Sequence, residues 1–263
     1  MSRRQPWRLL QITDLHLRAE AGATLLGVDT QATLDAVLEQ ALAEAEPDAL
    51  LLTGDLAHDP DPAAYRRLQR QLDARCPVPR LVLPGNHDLG APLAEVFGQA
   101  DSLRLGGWTV IGFDTHVDDR PEGSLDAAAR DHLAVRLEAA GTDHVLLACH
   151  HPPLPVGAPW LDKDRLADGE SLLESWRARG GVRALAYGHV HQQVDVVHHG
   201  LTLLATPSTC FQFEPGSRRF AIDRSADSGR PGYRWLELHA DGRVRTEVGR
   251  CDLTLNIDLT DGP

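Results

Sequence analysis

The densest chemistry in this chain lies in Pro84-Gly85-Asn86-His87-Asp88. An amide, an imidazole and a carboxylate stand on consecutive residues, and Gly85 lets the backbone turn sharply just before them. The apolar run at 81–83 precedes them, so the stretch reads as the loop leaving a buried strand. Four other apolar runs end in the same way. Residues 9–12 lead into Thr13-Asp14-Leu15-His16, and 49–52 into Thr53-Gly54-Asp55. Residues 145–149 lead into His150-His151-Pro152, and 184–187 into Gly188-His189-Val190-His191.

These ends carry carboxylates, imidazoles and one carboxamide, and no thiolate. Oxygen and imidazole nitrogen suit Mn, Fe, Zn, Co or Ni. The set exceeds what one tetrahedral ion needs. Asp14, His16, Asp55 and His191 would serve one ion, and Asp55, Asn86, His150 and His189 a second. Asp55 would bridge, since a carboxylate has two oxygens with which to do so. Two ions held about 3.5–4 Å apart can clamp the attacking and leaving oxygens of an in-line displacement at phosphorus. His87, beside a ligand, is expected to face the substrate, where an imidazole can stabilise phosphoryl charge or protonate a leaving oxygen. Asp88 is expected to orient that imidazole.

Taken singly, each motif has a plainer reading. Asp14-Leu15-His16 and Gly54-Asp55 are ordinary strand-end turns. His150-His151-Pro152 suits a loop in which a histidine packs on proline. His189 and His191 suit one face of an exposed strand. Their occurrence together, each at a strand end, carries the metal reading.

The elements that must position these residues are visible as alternating strand and helix patterns. Such alternation argues an α/β fold, and sites in these folds form beyond the carboxyl ends of the strands. The first helix is expected to open at Thr30 as N-cap, with Leu34, Val37, Leu38, Ala41 and Leu42 on its apolar face. Asp61-Pro62 supplies the cap and first-turn proline of a second, with Tyr65, Leu68 and Leu72 on one face. Further strands are expected at 108–113 and 201–205. Further helices are expected at 126–140, stopped by Gly141, and at 170–179. Residues 233–239 and 243–248 flank Ala240-Asp241-Gly242 as a hairpin, which argues for mixed sheets. Residues 152–169 form the longest irregular stretch, of a kind that is usually functional or mobile.

With 263 residues, 42% of them hydrophobic, the chain can build one sizeable core. The reading is one domain over 1–253 and a polar tail, disordered, over 254–263. A net charge of −12 and a pI near 5.5 argue against nucleic acid and anionic membrane as partners. The four scattered cysteines read as free thiols in a reducing compartment. No signal-peptide core or run of membrane-span length is present. A soluble cytoplasmic protein, monomer or dimer, is the expectation.

In order, Asp-x-His, Gly-Asp, Gly-Asn-His-Asp, His-His-Pro and Gly-His-x-His resemble the calcineurin-like metallophosphoesterases. The resemblance covers about residues 7–248. Thr53-Gly54-Asp55-Leu56-Ala57, Trp160-Leu161-Asp162, the ATPSTC run at 205–210 with Gln212-Phe213, and the WLELHADG run at 235–242 are similar to the bacterial class III 3′,5′-cyclic-AMP phosphodiesterases. All seven metal ligands of that pattern are present, as is the histidine at position 87. The resemblance implies a four-layer α/β-β-α sandwich with two mixed sheets. It implies a binuclear site, often of iron or manganese, and a cyclic nucleotide as small-molecule partner. It also implies hydrolysis of cyclic AMP to 5′-AMP, for which attack of a metal-bridging hydroxide on phosphorus is the expected route. Phosphate contacts carried over by motif fall on His16, Asp55, Asn86, His87 and His191. Trp160 is then a candidate to pack on the purine, or equally an anchor for its loop.

The chain departs from the pattern after Ser124, where an expected Gln and Trp are missing, and at 224–230, a small local expansion. Three rivals stand beside this reading. A broader phosphodiesterase for cyclic GMP or glycerophosphodiesters would use the same metals. A nuclease would want a basic groove. A non-catalytic interaction module would be expected to have lost ligands or His87.

Overall fold

A strand in which every residue is apolar needs cover on both faces. The run Ala49-Leu50-Leu51-Leu52 is fully buried, and its even and odd residues enter two different cores. The computed structural model, which describes residues 5–260, shows how that cover is arranged. β1 (Trp7–Ile12) leads through β2 (Thr24–Leu25) and β3 (Val28–Asp29) into α1 (Thr30–Glu44). β4 (Ala49–Thr53), α2 (Pro62–Arg75), β5 (Arg80–Leu83) and α3 (Gly90–Phe97) follow. The middle of the chain contains β6 (Ser102–Leu105), β7 (Trp108–Gly112), α4 (Ala127–Ala139), β8 (His144–Ala148), α5 (Pro159–Asp162), α6 (Gly169–Arg179) and β9 (Val182–Tyr187). β10 (Val194–His198), β11 (Leu201–Ala205), β12 (Gly232–Leu238) and β13 (Val244–Arg250) come last.

The strands form two mixed sheets. The first has the order β13-β12-β1-β4-β5 and the second β10-β11-β9-β8-β7-β6. β1, β4 and β5 run parallel, as do β11, β9, β8 and β7, while the outer pairings β12 to β1 and to β13, β10 to β11 and β6 to β7 are antiparallel. Between the sheets lie Leu9, Leu51, Leu81, Val110, Leu146, Ala186 and Leu236. The outer face of the first sheet packs on α1, α2 and α3 through Leu34, Leu38, Leu68 and Leu93. The outer face of the second packs on α4, α5 and α6 through Leu133, Leu137, Leu161 and Trp176. The result is helices, sheet, sheet, helices, the α/β sandwich expected. No helix among the described residues is long and apolar enough to cross a membrane. All four cysteines are buried and free.

Several local expectations change. The N-cap of α1 is Asp29, whose carboxylate accepts from the N–H groups of Gln31 and Ala32 at 3.0 Å. A carboxylate is the stronger acceptor for orphan helix donors, and this frees the Thr30 hydroxyl to donate to the His16 carbonyl at 3.0 Å. Asp61 and Pro62 open α2 as expected. α3, β6 and β10 were not anticipated. They are short, and β10 presents Val196 and Val197 to solvent, so no buried pattern marked it. The chain after Thr254 is docked as far as Asp258. Leu255 and Ile257 pack against Leu25, Val28 and Phe211, and the Asp258 N–H donates to the Leu26 carbonyl at 2.8 Å. Residues 261–263 lie outside the described part.

Candidate metal centre

β1, β4 and β5 of the first sheet and β8 and β9 of the second all end at one place. Asp14 and His16 follow β1, Asp55 follows β4, and Asn86 and His87 follow β5. His150 follows β8, and His189 and His191 follow β9. Glycines let the chain close here, between the two sheets at Gly188 and between loops of the first sheet at Gly85. A Cβ on Gly188 would overlap the Thr13 hydroxyl and lie 2.7 Å from Asp14 Oδ2, and one on Gly85 would overlap the Asp55 backbone and carboxylate.

The side chains fall into two groups that share Asp55. His16 Nε2 and His191 Nε2 are 3.0 Å apart, His191 Nε2 lies 3.5 Å from Asp14 Oδ1, and His16 Nε2 lies 3.6 Å from Asp55 Oδ2. In the other group, Asn86 Oδ1 lies 2.9 Å from His189 Nδ1 and 3.1 Å from His150 Nε2, and His150 Nε2 lies 3.4 Å from Asp55 Oδ2. The seven side chains that the sequence singled out as ligands are thus brought into one cluster, in which Asp14, Asp55 and His150 also lie within 4.8 Å of one another. Asp14, His16, Asp55, His189 and His191 all hold positive φ, between 46° and 70°. For residues other than glycine this costs about 1–3 kcal/mol each, and such strain gathers at functional sites.

Tautomers are set by the far side of each ring. The His191 Nδ1–H donates to the Phe211 carbonyl at 2.8 Å, and the His150 Nδ1–H donates to the Thr53 carbonyl at 2.7 Å. Each Nε2 then carries a lone pair pointing into the centre. Asp14 is fixed by the His189 N–H, at 3.0 and 3.1 Å to its two oxygens. The Ser208 hydroxyl donates to the Asp14 carbonyl at 2.7 Å.

The electrostatics of this cluster call for added positive charge. Burial pushes the Asp14 carboxyl up to about 7. Burial lowers His189 and His191 to about 3 and His16 well below its usual value, so these rings are neutral, as ligands must be. Burial opposes a charge on His150 too, but the Asp55 and Asp14 carboxylates override it and lift that ring to about 9. Two buried carboxylates and imidazole lone pairs facing one another fit divalent cations.

His87 is half-buried at the edge of this cluster. Its N–H donates to Asp55 Oδ1 at 2.9 Å, and its ring meets His16 edge-on at 5.0 Å. Asp88 does not orient that ring. Its carboxylate accepts from the N–H groups of Leu56, Ala57 and Gly85 at 2.9–3.1 Å and from the Tyr65 hydroxyl at 2.9 Å. A buried carboxylate takes the donors the tightening loop leaves unpaired, so Asp88 holds the loops that carry Asp55 and Asn86. Its support to His87 runs through the backbone.

Two residues carry more than their motifs announced. His58 stacks on His87 with centroids 4.7 Å apart, lies 3.3 Å from His16 by Nδ1, and accepts from His87 Nδ1–H at its carbonyl. Nothing in its spacing marked it beyond its place after Asp55. Tyr65 appeared as one apolar position of a helix, yet its hydroxyl joins Asp88 to the Leu89 N–H. His151 sits in the His-His-Pro motif and is near His189, but both its nitrogens are occupied, by Thr115 Oγ1 at 2.7 Å and the Pro121 carbonyl at 3.1 Å. It anchors the loop instead. Trp160 packs edge-on against Phe213 and Phe220.

Comparison with known proteins agrees with this geometry. The family model described as calcineurin-like phosphoesterase matches residues 8–193. This chain belongs to that family. It is 38% identical over 250 residues to a protein of Pseudomonas aeruginosa named 3′,5′-cyclic adenosine monophosphate phosphodiesterase CpdA, covering 93% of this chain and 90% of that one. It is 34% identical over 267 residues to the Nostoc protein named 3′,5′-cyclic-nucleotide phosphodiesterase alr5338, covering 99% and 98%. Among solved structures, a dimetal phosphatase from Danio rerio superposes with a TM-score of 0.65 at 15% identity, covering 95% of this chain and 97% of that one. At that identity the likeness speaks to the metallophosphoesterase fold.

Proposed function

We propose that this protein is a binuclear-metal phosphodiesterase that hydrolyses 3′,5′-cyclic AMP to 5′-AMP. The observation that carries the reading is the meeting of Asp14, His16, Asp55, Asn86, His150, His189 and His191 at five strand ends, in two groups sharing Asp55. The names of relatives that align along most of the chain support the substrate.

Asp14, His16, Asp55 and His191 would hold one ion, and Asp55, Asn86, His150 and His189 the other. Iron or manganese suits this set of oxygen and imidazole donors. When bound, the two divalent ions supply charge neutralisation at the phosphate and a water of lowered pKa. The phosphate then lies among His16, Asp55, Asn86, His87 and His191. An oxygen from water forms the new bond to phosphorus, the P–O3′ bond breaks, and O3′ takes a proton. His87 would give that proton and share the negative charge on the phosphoryl oxygens. Its N–H bond to Asp55 ties its position to the centre of the cluster. Asp88 and Tyr65 keep the loop from relaxing.

The test is turnover by purified, metal-loaded protein on cyclic AMP, cyclic GMP, 2′,3′-cyclic nucleotides and a glycerophosphodiester. Efficient release of 5′-AMP from cyclic AMP is expected. Hydrolysis of the glycerophosphodiester with none of cyclic AMP would overturn the substrate, and no diester turnover at all would overturn the reaction.

A further inference from the structure

Beside the metal centre, one buried polar side chain has no partner. Gln192 is 6% exposed and its amide nitrogen lacks any hydrogen bond. Its amide oxygen likewise has no hydrogen-bonding partner among the described residues. Buried amides are ordinarily satisfied, and an exception points to a group supplied from outside. Gln192 lines a cavity of about 370 Å³, together with His191, Phe213, Asp195, Asp223 and Asp227. This cavity shares a wall with the metal centre. The Phe213 ring stacks on the His191 imidazole at 4.2 Å between centroids, and Nε2 of the same imidazole faces His16.

Most other polar groups of the wall are engaged, Arg250 among them through the Arg230 carbonyl at 2.8 Å. Asp195 pairs with the buried Arg234 at 2.8 Å and accepts from Gln193. Asp223 accepts from the Ser225 N–H and the Ser228 hydroxyl. Gln212 is closed onto the Ser208 backbone. Gln192 is thus an uncharged donor and acceptor without a partner, in a hollow whose wall also includes the Phe213 ring and Pro215, and a convergent polar group of this kind can fix a ligand's orientation. The lining carries three carboxylates against the one guanidinium of Arg250, and this negative balance disfavours a second phosphate and admits a neutral ring. A carboxamide with both ends free pairs in bidentate fashion with adenine, its oxygen accepting from the exocyclic amine and its nitrogen donating to the adjacent ring nitrogen.

We infer that this cavity is the base subsite and that Gln192 is the specificity-determining residue which reads the adenine ring, with Phe213 as its apolar wall. The inference rests on the phosphodiesterase reading above. It moves the base away from Trp160, which packs against Phe213 and Phe220.

The experiment compares kcat/KM for cyclic AMP with kcat/KM for bis(4-nitrophenyl) phosphate, a diester with no base, in metal-loaded enzyme. Gln192→Leu should lower the ratio of the two by about tenfold or more, mostly through KM for cyclic AMP, since a bidentate pair discriminates by about 5- to 150-fold. Gln192→Glu keeps the shape and loses the donor, and should move the ratio the same way if the leucine variant does not fold. Trp160→Leu should move it less. An unchanged ratio in both Gln192 variants, or a shift confined to Trp160→Leu, would overturn the inference. If the wild type turns over neither diester, the phosphodiesterase reading fails, and calorimetry with adenosine still decides the cavity. Binding weakened by Gln192→Leu supports it; binding that is absent or unaffected overturns it.

Discussion

The two sheets bring different chemistry to the same seam. The first supplies both carboxylates and the carboxamide, on Asp14, Asp55 and Asn86, while the second supplies only imidazoles, on His150, His189 and His191. His16 crosses this division, standing on the first sheet and facing His191 of the second at 3.0 Å. Neither wall makes a site alone. Carboxylates without a cation are driven toward protonation by burial, as Asp14 is, and buried imidazoles are driven neutral, as His189 and His191 are. Set opposite each other, they bring carboxylate oxygens and imidazole nitrogens around one space, a donor set that suits divalent cations. The centre therefore depends on how the sheets pack, and Asp55 lies where the two groups meet.

The strongest way to break this pairing is at the shared residue. Asp55→Asn keeps the shape but removes the charge proposed to bridge, so metal content should fall and diester turnover should drop by more than the 10- to 100-fold typical of losing an outer support. Elemental analysis beside a rate measurement checks it; wild-type metal content would show that the two groups do not share Asp55. His87→Ala leaves both walls intact. It should keep metal content and lower turnover by about 10²–10⁴-fold, the range for a lost general acid. Full rate would remove His87 from the chemistry. Asp88→Asn weakens only the first sheet's loops. Turnover or metal affinity should fall about 10- to 100-fold, with a lower melting temperature from the disturbed donors of Leu56, Ala57 and Gly85. Thr30→Val removes one bond to the His16 carbonyl. It should cost about 1 kcal/mol in denaturant unfolding, with turnover within a few-fold of wild type.

What the sequence reveals follows the same division between local and distant causes. The loops of the candidate ligands were readable because each lies at the end of an apolar run, and their order within the α/β pattern brings them together. Asp88 was misread because its neighbour in sequence, His87, is not its partner in space; its four donors come from residues 56, 57, 65 and 85. Thr30 was misplaced by one position because Asp29 is the better acceptor and both residues fit an N-cap. His58 and Gln192 were invisible for a related reason. A histidine in a loop and a glutamine after a strand acquire meaning only from neighbours about 30 or more residues away or from an adjoining cavity. The polar composition after 253 concealed Leu255 and Ile257, whose spacing puts both against the cluster around Phe211.

The most direct test of the proposed binuclear centre is anomalous diffraction from crystals of the protein loaded with manganese. Two peaks per chain are expected, one among Asp14, His16, Asp55 and His191 and one among Asp55, Asn86, His150 and His189. A single peak, or none between these side chains, would contradict the account.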